Sequence, residues 1–520
     1  MITGFKTDDF QYYLSARIGG QGPFRLVVDT GSANVWVPGA QCGTPACEGR
    51  ARLSRSVPGA FQANGGPDVQ ITYGDTFIQG APGRAPIALA GAWSNASAAA
   101  AGNASDALAF TQGVVVAASV AGGPAAGPSG QAPWDGLLGM GRAALAVGWM
   151  QPPLASLAEQ GLLPAPVFGL WLSHDPRGGG RGGELALGGW NAARTQGEVH
   201  WVPVVSSPDG QQGFWSVPLD AIVLSGGALP APRAVLCGNA SAAPGGGESG
   251  GGCVGALDSG TALLTGTVRQ VGALNRALGF APGAFPLAGG AAGCGAEAAR
   301  LTSLISGAGR EDPGSEQLAG ICQRLGAGAL SPEATLCAAA LSNIDAARAA
   351  LQGGRGAPAA ATLDAARNAT AADCELLPYC FNATLPCTEV EALPNVSFVI
   401  GGAAYNVTPL QYAALGPDSQ CYSLISCLGS LPANFWILGD TLMHNIYTVY
   451  DSGHNGGPPR VGFAALAPAE EELRRELDAL LEGPIATFEH PHSAAAPRRA
   501  ARGWVGLAAA AAAAAAAVLA

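Results

Sequence analysis

Two short motifs constrain this chain more than any other feature: Asp29-Thr30-Gly31-Ser32 and Asp258-Ser259-Gly260-Thr261. Each follows an apolar run, residues 24–28 in the first case and 254–257 in the second. One such motif is an ordinary strand-to-turn sequence, because Asp and Ser/Thr bond their own backbone and Gly accepts positive φ. Two in one chain are expected from composition only about 0.001 times. Each motif also has an echo downstream, Leu137-Leu138-Gly139 and Ile437-Leu438-Gly439. The second motif-to-echo spacing is the longer, and its excess falls on an Ala/Gly-rich block. The chain therefore reads as two diverged copies of one unit, the second carrying an insertion.

Composition narrows the class. Charged residues make up 12% and hydrophobic ones 48%, with 77 Gly and 38 Pro among 520 residues. That is too apolar for a disordered chain and rich in turn formers, which favours a loop-heavy β architecture. The net charge of −11 lacks the basic face that nucleic acid requires. Apolar runs broken by Gly and Pro predict strands at 24–29, 35–38, 69–73, 113–118, 167–172, 184–187 and 200–205. Residues 84–107 read as a surface loop. Further strand-rich stretches cover 214–263 and 396–464. Four segments follow: a first β lobe over 1–190, a second over 191–466 interrupted at about 280–386, a helical and polar spacer over 467–497, and an Ala-rich tail over 498–520. The Gly-rich run 177–183 lacks the Gly-Lys-Ser/Thr ending of a phosphate loop and reads as a hairpin turn.

Twelve cysteines fit six disulfides, reduced thiols or metal sites. No Cys-x-x-Cys pair occurs and the six histidines lack ligand spacing, so no metal and no cofactor are expected. Asn-x-Ser/Thr sequons at Asn95, Asn103, Asn239, Asn368, Asn382, Asn395 and Asn406 are several times more frequent than composition predicts. Cysteines and sequons together point to the secretory pathway, with an extracellular, cell-surface or vacuolar destination. The first eight residues lack the apolar core of a leader peptide, which reads either as a mature N-terminus or as a missing leader.

From about residue 10 to 466, insertion apart, the chain resembles the pepsin-like aspartic proteases. The resemblance rests on DTGSANVWVP (29–38), ITYGD (71–75), APWDGLLGMG (132–141), LDSGTALLTG (257–266), LPNVSFVIGG (393–402) and FWILGDTLMHNIYTVYD (435–451), in that order. It implies an all-β, bilobal fold with two pseudo-two-fold-related lobes and an active-site cleft between them, each lobe giving one Asp. Two carboxylates in one site cannot both ionise cheaply, so one keeps its proton while the other activates water. The resemblance assigns these roles to Asp29 and Asp258, interchangeably until substrate binds, with acid-pH cleavage of polypeptides. Gly31 and Gly260 leave room for the loops, Thr30 and Ser259 cross-bond beneath the pair, and Ser32 and Thr261 donate to its outer oxygens. One chain supplies both aspartates, so a monomer suffices.

The same resemblance places Tyr73 at the tip of a flap with Gly74 and Asp75, Trp36 behind that tyrosine, and Trp134 and Leu137 on the wall of the main specificity pocket. Apolar residues at the cleaved bond are therefore expected. Ser259 stands where many relatives have Thr, Ala262 where Ser or Thr is usual, and Asp75 where many have Thr. It also implies disulfides Cys42–Cys47, Cys237–Cys253 and Cys387–Cys421, leaving six cysteines with 15 pairings open. The insertion lies where plant relatives carry a saposin-like segment, but its spacing favours an expanded, disulfide-stapled loop. The tail has the layout of a glycosylphosphatidylinositol signal; a short membrane anchor and a plain Ala-rich extension remain open beside it. The competing function is a pepsin-fold binding or inhibitory glycoprotein without catalysis.

Overall fold

The computed structural model describes residues 2–6, 11–73, 76–90, 107–122, 132–173, 182–238, 252–283, 372–380, 383–416, 418–428 and 431–468. Most of the insertion, the spacer beyond 468 and the whole tail lie outside them. The chain is predominantly β, with a few short helices, and divides into two compact units. The first takes Met1–Pro218, the short segment Ala256–Ala262 and the described chain from Leu438; the second takes Leu219–Gly255 and Leu263–Ile437.

The first unit is built on a 14-stranded sheet. Its centre is the strand Gln21–Asp29, whose Leu26, Val27 and Val28 are all buried. This strand pairs antiparallel with Tyr12–Ile18 and parallel with Gly136–Gly139, placing Asp29 opposite Gly139 and Val27 opposite Leu137. Val35–Pro38 crosses next to Gly136–Gly139, with Trp36 opposite Leu137. The apolar run and its echo are thus adjacent strands, buried on both faces, which explains why both read as continuous hydrophobic text.

The loop expected over 84–107 is partly a strand. Thr76–Ala90 runs through its first seven residues and pairs antiparallel with Ala107–Ala121, while 91–106 lie outside the described residues. The glycines of this strand serve close packing. A Cβ on Gly83 would fall 2.2 Å from the Phe61 ring, and one on Gly80, at a register shift in the ladder, 2.3 Å from the Val116 carbonyl oxygen. Strands Val167–Leu172 and Gly183–Leu187 pair antiparallel on either side of the Gly-rich run.

In the second unit Asn395–Ile400 lies between Ala221–Ser225 and Ala403–Val407. The tight turn into Ala403–Val407 uses Gly401 and Gly402, both at positive φ. The helix Val268–Leu278 starts at Thr267, whose hydroxyl accepts from the Gln270 N–H, and ends at Gly279 with φ 95°. Its buried Asn275 donates to the Tyr379 and Ile425 carbonyls (2.7 and 3.0 Å) and accepts from the Ser423 hydroxyl at 2.8 Å. Asn275→Leu strands those three groups, so a loss of about 2–4 kcal/mol is expected in urea unfolding. A change under 0.5 kcal/mol contradicts this account.

Cys42 pairs with Cys47 in the first unit, and Cys237–Cys253, Cys380–Cys427 and Cys387–Cys421 are bridged in the second. No described cysteine is free. Asn395 is half-buried in its strand and Asn406 is exposed; the other five sequon asparagines lie outside the described residues. No described helix is long and apolar enough to cross a membrane.

Candidate active site

Both motif aspartates belong to the first unit, because the segment Ala256–Ala262 clusters with the N-terminal chain. Each ends a buried strand and turns at once through its Gly. The carboxylates are held alike: Asp29 accepts from the Gly31 N–H at 2.8 Å and the Ser32 hydroxyl at 2.5 Å, and Asp258 from the Gly260 N–H at 2.8 Å and the Thr261 hydroxyl at 2.7 Å. The loops approach so closely that a Cβ on Gly31 would lie 2.6 Å from the Asp258 carboxyl carbon. One on Gly260 would lie 2.5 Å from an Asp29 oxygen.

Thr30 and Ser259 lock the two loops reciprocally. The Thr30 hydroxyl donates to the Leu257 carbonyl at 2.8 Å and accepts from the Ser259 N–H at 2.9 Å. The Ser259 hydroxyl donates to the Val28 carbonyl at 2.8 Å and accepts from the Thr30 N–H at 3.1 Å. Four buried bonds at about 1 kcal/mol each fix the spacing of the carboxylates more firmly than packing alone.

The echoes close each loop from outside. Met140 and Gly141 donate their N–H groups to the Asp29 and Ser32 carbonyls, and Asp440 and Thr441 donate to those of Thr261 and Ala262. Trp215, stacked edge-on against Phe168 and Tyr450, donates its indole N–H to the Met140 carbonyl, and its own carbonyl accepts from the Leu257 N–H. No motif marked Trp215; only its burial identifies it.

Asp29 is 6% exposed and Asp258 4%. Burial holds the Asp29 carboxyl protonated well above the ordinary carboxylate range, and the Asp258 charge pushes it further; the Ser32 hydroxyl and Gly31 N–H oppose both. Asp258 is also raised by burial, against the bonds from Thr261 and Gly260. Burial of both carboxyls therefore favours one proton held by the pair as a unit.

The expected substrate-contacting residues fall in two groups. Trp36, Trp134 and Leu137 come together: Trp36 faces Leu137 across the ladder and meets Trp134 edge to face, ring centroids 6.0 Å apart. The buried Trp36 indole N–H finds no acceptor among the described residues. Tyr73 ends the strand Val69–Tyr73 opposite Thr76. Its side chain, with Gly74 and Asp75, lies outside the described residues. Sequence reasoning missed Arg25 and Arg50. Arg25 grips the Asp135 carboxylate through two side-chain bonds and its own backbone N–H, and Arg50 packs on Trp134. Also unmarked was Tyr12, whose hydroxyl donates to the Ser173 carbonyl at 2.7 Å and so accepts from His444 Nε2 at 2.6 Å. No described group of His, Cys, Asp and Glu could hold a metal ion.

The eukaryotic aspartyl protease family matches residues 11–466. This chain belongs to that family. It is similar to cathepsin E-B of Xenopus laevis, 25% identical over 466 residues that cover 88% of this chain and 80% of the relative. It is similar too to aspartic proteinase A2 of Arabidopsis thaliana, 27% identical over 88% of this chain and 83% of the relative. A third relative is cyprosin of Cynara cardunculus, 27% identical over 88% and 90%. The protein is therefore a hydrolase of the aspartic endopeptidase class, acting on polypeptides.

Proposed function

We propose that Asp29 and Asp258 cleave peptide bonds by activating a water between them. Ionised Asp258 takes a proton from the water, whose oxygen attacks the scissile carbonyl carbon. Asp29 gives its proton to the carbonyl oxygen, forming a neutral gem-diol. The diol collapses with rupture of the C–N bond: the departing nitrogen takes the proton held by Asp258, and one diol hydroxyl returns a proton to Asp29, which restores the pair. The observation that carries this reading is the pair of buried carboxyls, each held by its own turn and brought close by the bonds of Thr30 and Ser259. A pair that holds one proton works only between its two ionisations, so activity belongs on the acid side. The apolar cluster of Trp36, Trp134 and Leu137 supports a preference for apolar residues at the cleaved bond. Disulfides in both units fit an oxidising compartment, hence the secretory pathway. Exposed Asn406 is the better-placed described glycan acceptor.

The test is hydrolysis of a denatured protein from pH 2 to 7, with and without pepstatin. Acid-optimal cleavage blocked by pepstatin supports the mechanism. If the folded, disulfide-intact protein binds pepstatin but does not cleave, an activation step is missing. If it neither binds nor cleaves, the binding-glycoprotein alternative takes its place.

A further inference from the structure

Arg50 is a charged residue buried among the core side chains of the first unit. It is 6% exposed, and burial pushes its pKa down to about 10, so it stays cationic throughout the acid range. Desolvating a guanidinium costs several kcal/mol, which simple filling of space does not offset. The side chain offsets that cost through the nearby Asp135 charge and through bonds centred on Trp134. Its Nη1 donates to the Trp134 carbonyl at 2.7 Å, its Nε donates to the Ala46 carbonyl at 2.8 Å, and its guanidinium carbon lies 4.1 Å from the centroid of the Trp134 ring.

The neighbouring bonds work in the same sense. The Ala51 N–H donates to Asp135 at 2.9 Å, so Arg50 and Ala51 run beside Trp134 and Asp135 and hold both. Ala46 lies inside the loop closed by Cys42–Cys47, and Arg52 donates to the carbonyls of both those cysteines. The anchor for Arg50 is therefore itself rigid. On its other sides Trp134 donates its indole N–H to Gln11 and meets Trp36 edge-on. Ring plane, backbone and N–H are all fixed, and Arg50 fixes two of the three.

We infer that Arg50 is a positioning residue that sets substrate selectivity by immobilising Trp134, an inference that rests on the reading of Trp134 as a wall of the specificity pocket. An immobile indole selects by shape. It rewards a planar or unbranched side chain that can lie along it and penalises a β-branched one that cannot. A mobile indole adapts to either.

The experiment uses peptides identical except for Phe, Leu or Val on the N-terminal side of the scissile bond. The wild type is expected to favour Phe and Leu over Val. Arg50→Met should flatten that preference about 5–10-fold, through KM, with kcat for the Phe peptide within about two-fold of wild type and the pH profile unmoved. Arg50→Lys keeps a cation but loses the planar fork, so its selectivity should fall between the two. It also serves if the Met variant does not fold. Trp134→Phe separates the two readings. If it alters selectivity while both Arg50 variants match wild type, the pocket reading stands and the role of Arg50 is overturned. If Trp134→Phe also leaves selectivity unchanged, the pocket reading fails and the inference with it.

Discussion

Changing Asp29 to asparagine is expected to abolish cleavage and, at the same time, to make the folded protein more tolerant of neutral pH. The first effect follows from the chemistry. The amide has no acidic proton for the scissile carbonyl oxygen and leaves Asp258 without its partner, so kcat should fall about 10³-fold or more. The second follows from burial. The folded state raises the Asp29 pKa well above its unfolded value, so it binds a proton more tightly than the unfolded chain does. The stability gained in this way is fully present below the unfolded pKa and is lost as pH rises through the folded one. Asparagine cannot ionise, so the loss disappears. Melting temperatures measured from pH 3 to 7 should decline less steeply for Asp29→Asn than for wild type. Asp258→Asn should be equally inactive and should also flatten the decline, because burial raises its carboxyl too. A variant that is inactive and also falls more steeply with pH contradicts a carboxyl raised by burial at this position.

The site was legible in the sequence to the extent that its chemistry is local. Asp29, Gly31 and Ser32 form a single turn, as do Asp258, Gly260 and Thr261, so the bonds that hold each carboxylate span only two or three positions. The echoes were legible because a strand buried on both faces must be apolar along its length. Residues that act across the fold left no such mark. Arg50 and Trp134 are 84 positions apart, and Arg25 and Asp135 are 110 apart. An arginine in a loop after a cysteine looks like any solvated arginine. The boundary of the strand Thr76–Ala90 was missed for a different reason. Gly and Pro break strands by their backbone preferences, but here the missing side chains admit Phe61 and the Val116 backbone.

Gly31→Ala and Gly260→Ala test the same pair by steric means, and each is expected to lower kcat/KM by about 10²-fold or more. A methyl on Gly31 would sit 2.6 Å from the Asp258 carboxyl carbon, with both oxygens within 2.7 Å. A flexible side chain would swing away, but Asp258 is short and is held by Gly260 and Thr261. The loops cannot part instead, because the four bonds made by Thr30 and Ser259 hold them. Either those bonds or the carboxylate bonds must give. Overpacking a tight site typically costs about 1–3 kcal/mol, which a domain of this size survives. Function is more exacting than stability here, since a displacement of about 1 Å can cost 10²-fold in rate. The symmetric change Gly260→Ala should behave alike, its methyl meeting an Asp29 oxygen at 2.5 Å. Gly43→Ala is the control: its methyl meets nothing within 4 Å, so activity and melting temperature should match wild type. Full activity in Gly31→Ala would mean that the loops separate freely, and the reciprocal lock would then not set the spacing of the carboxylates.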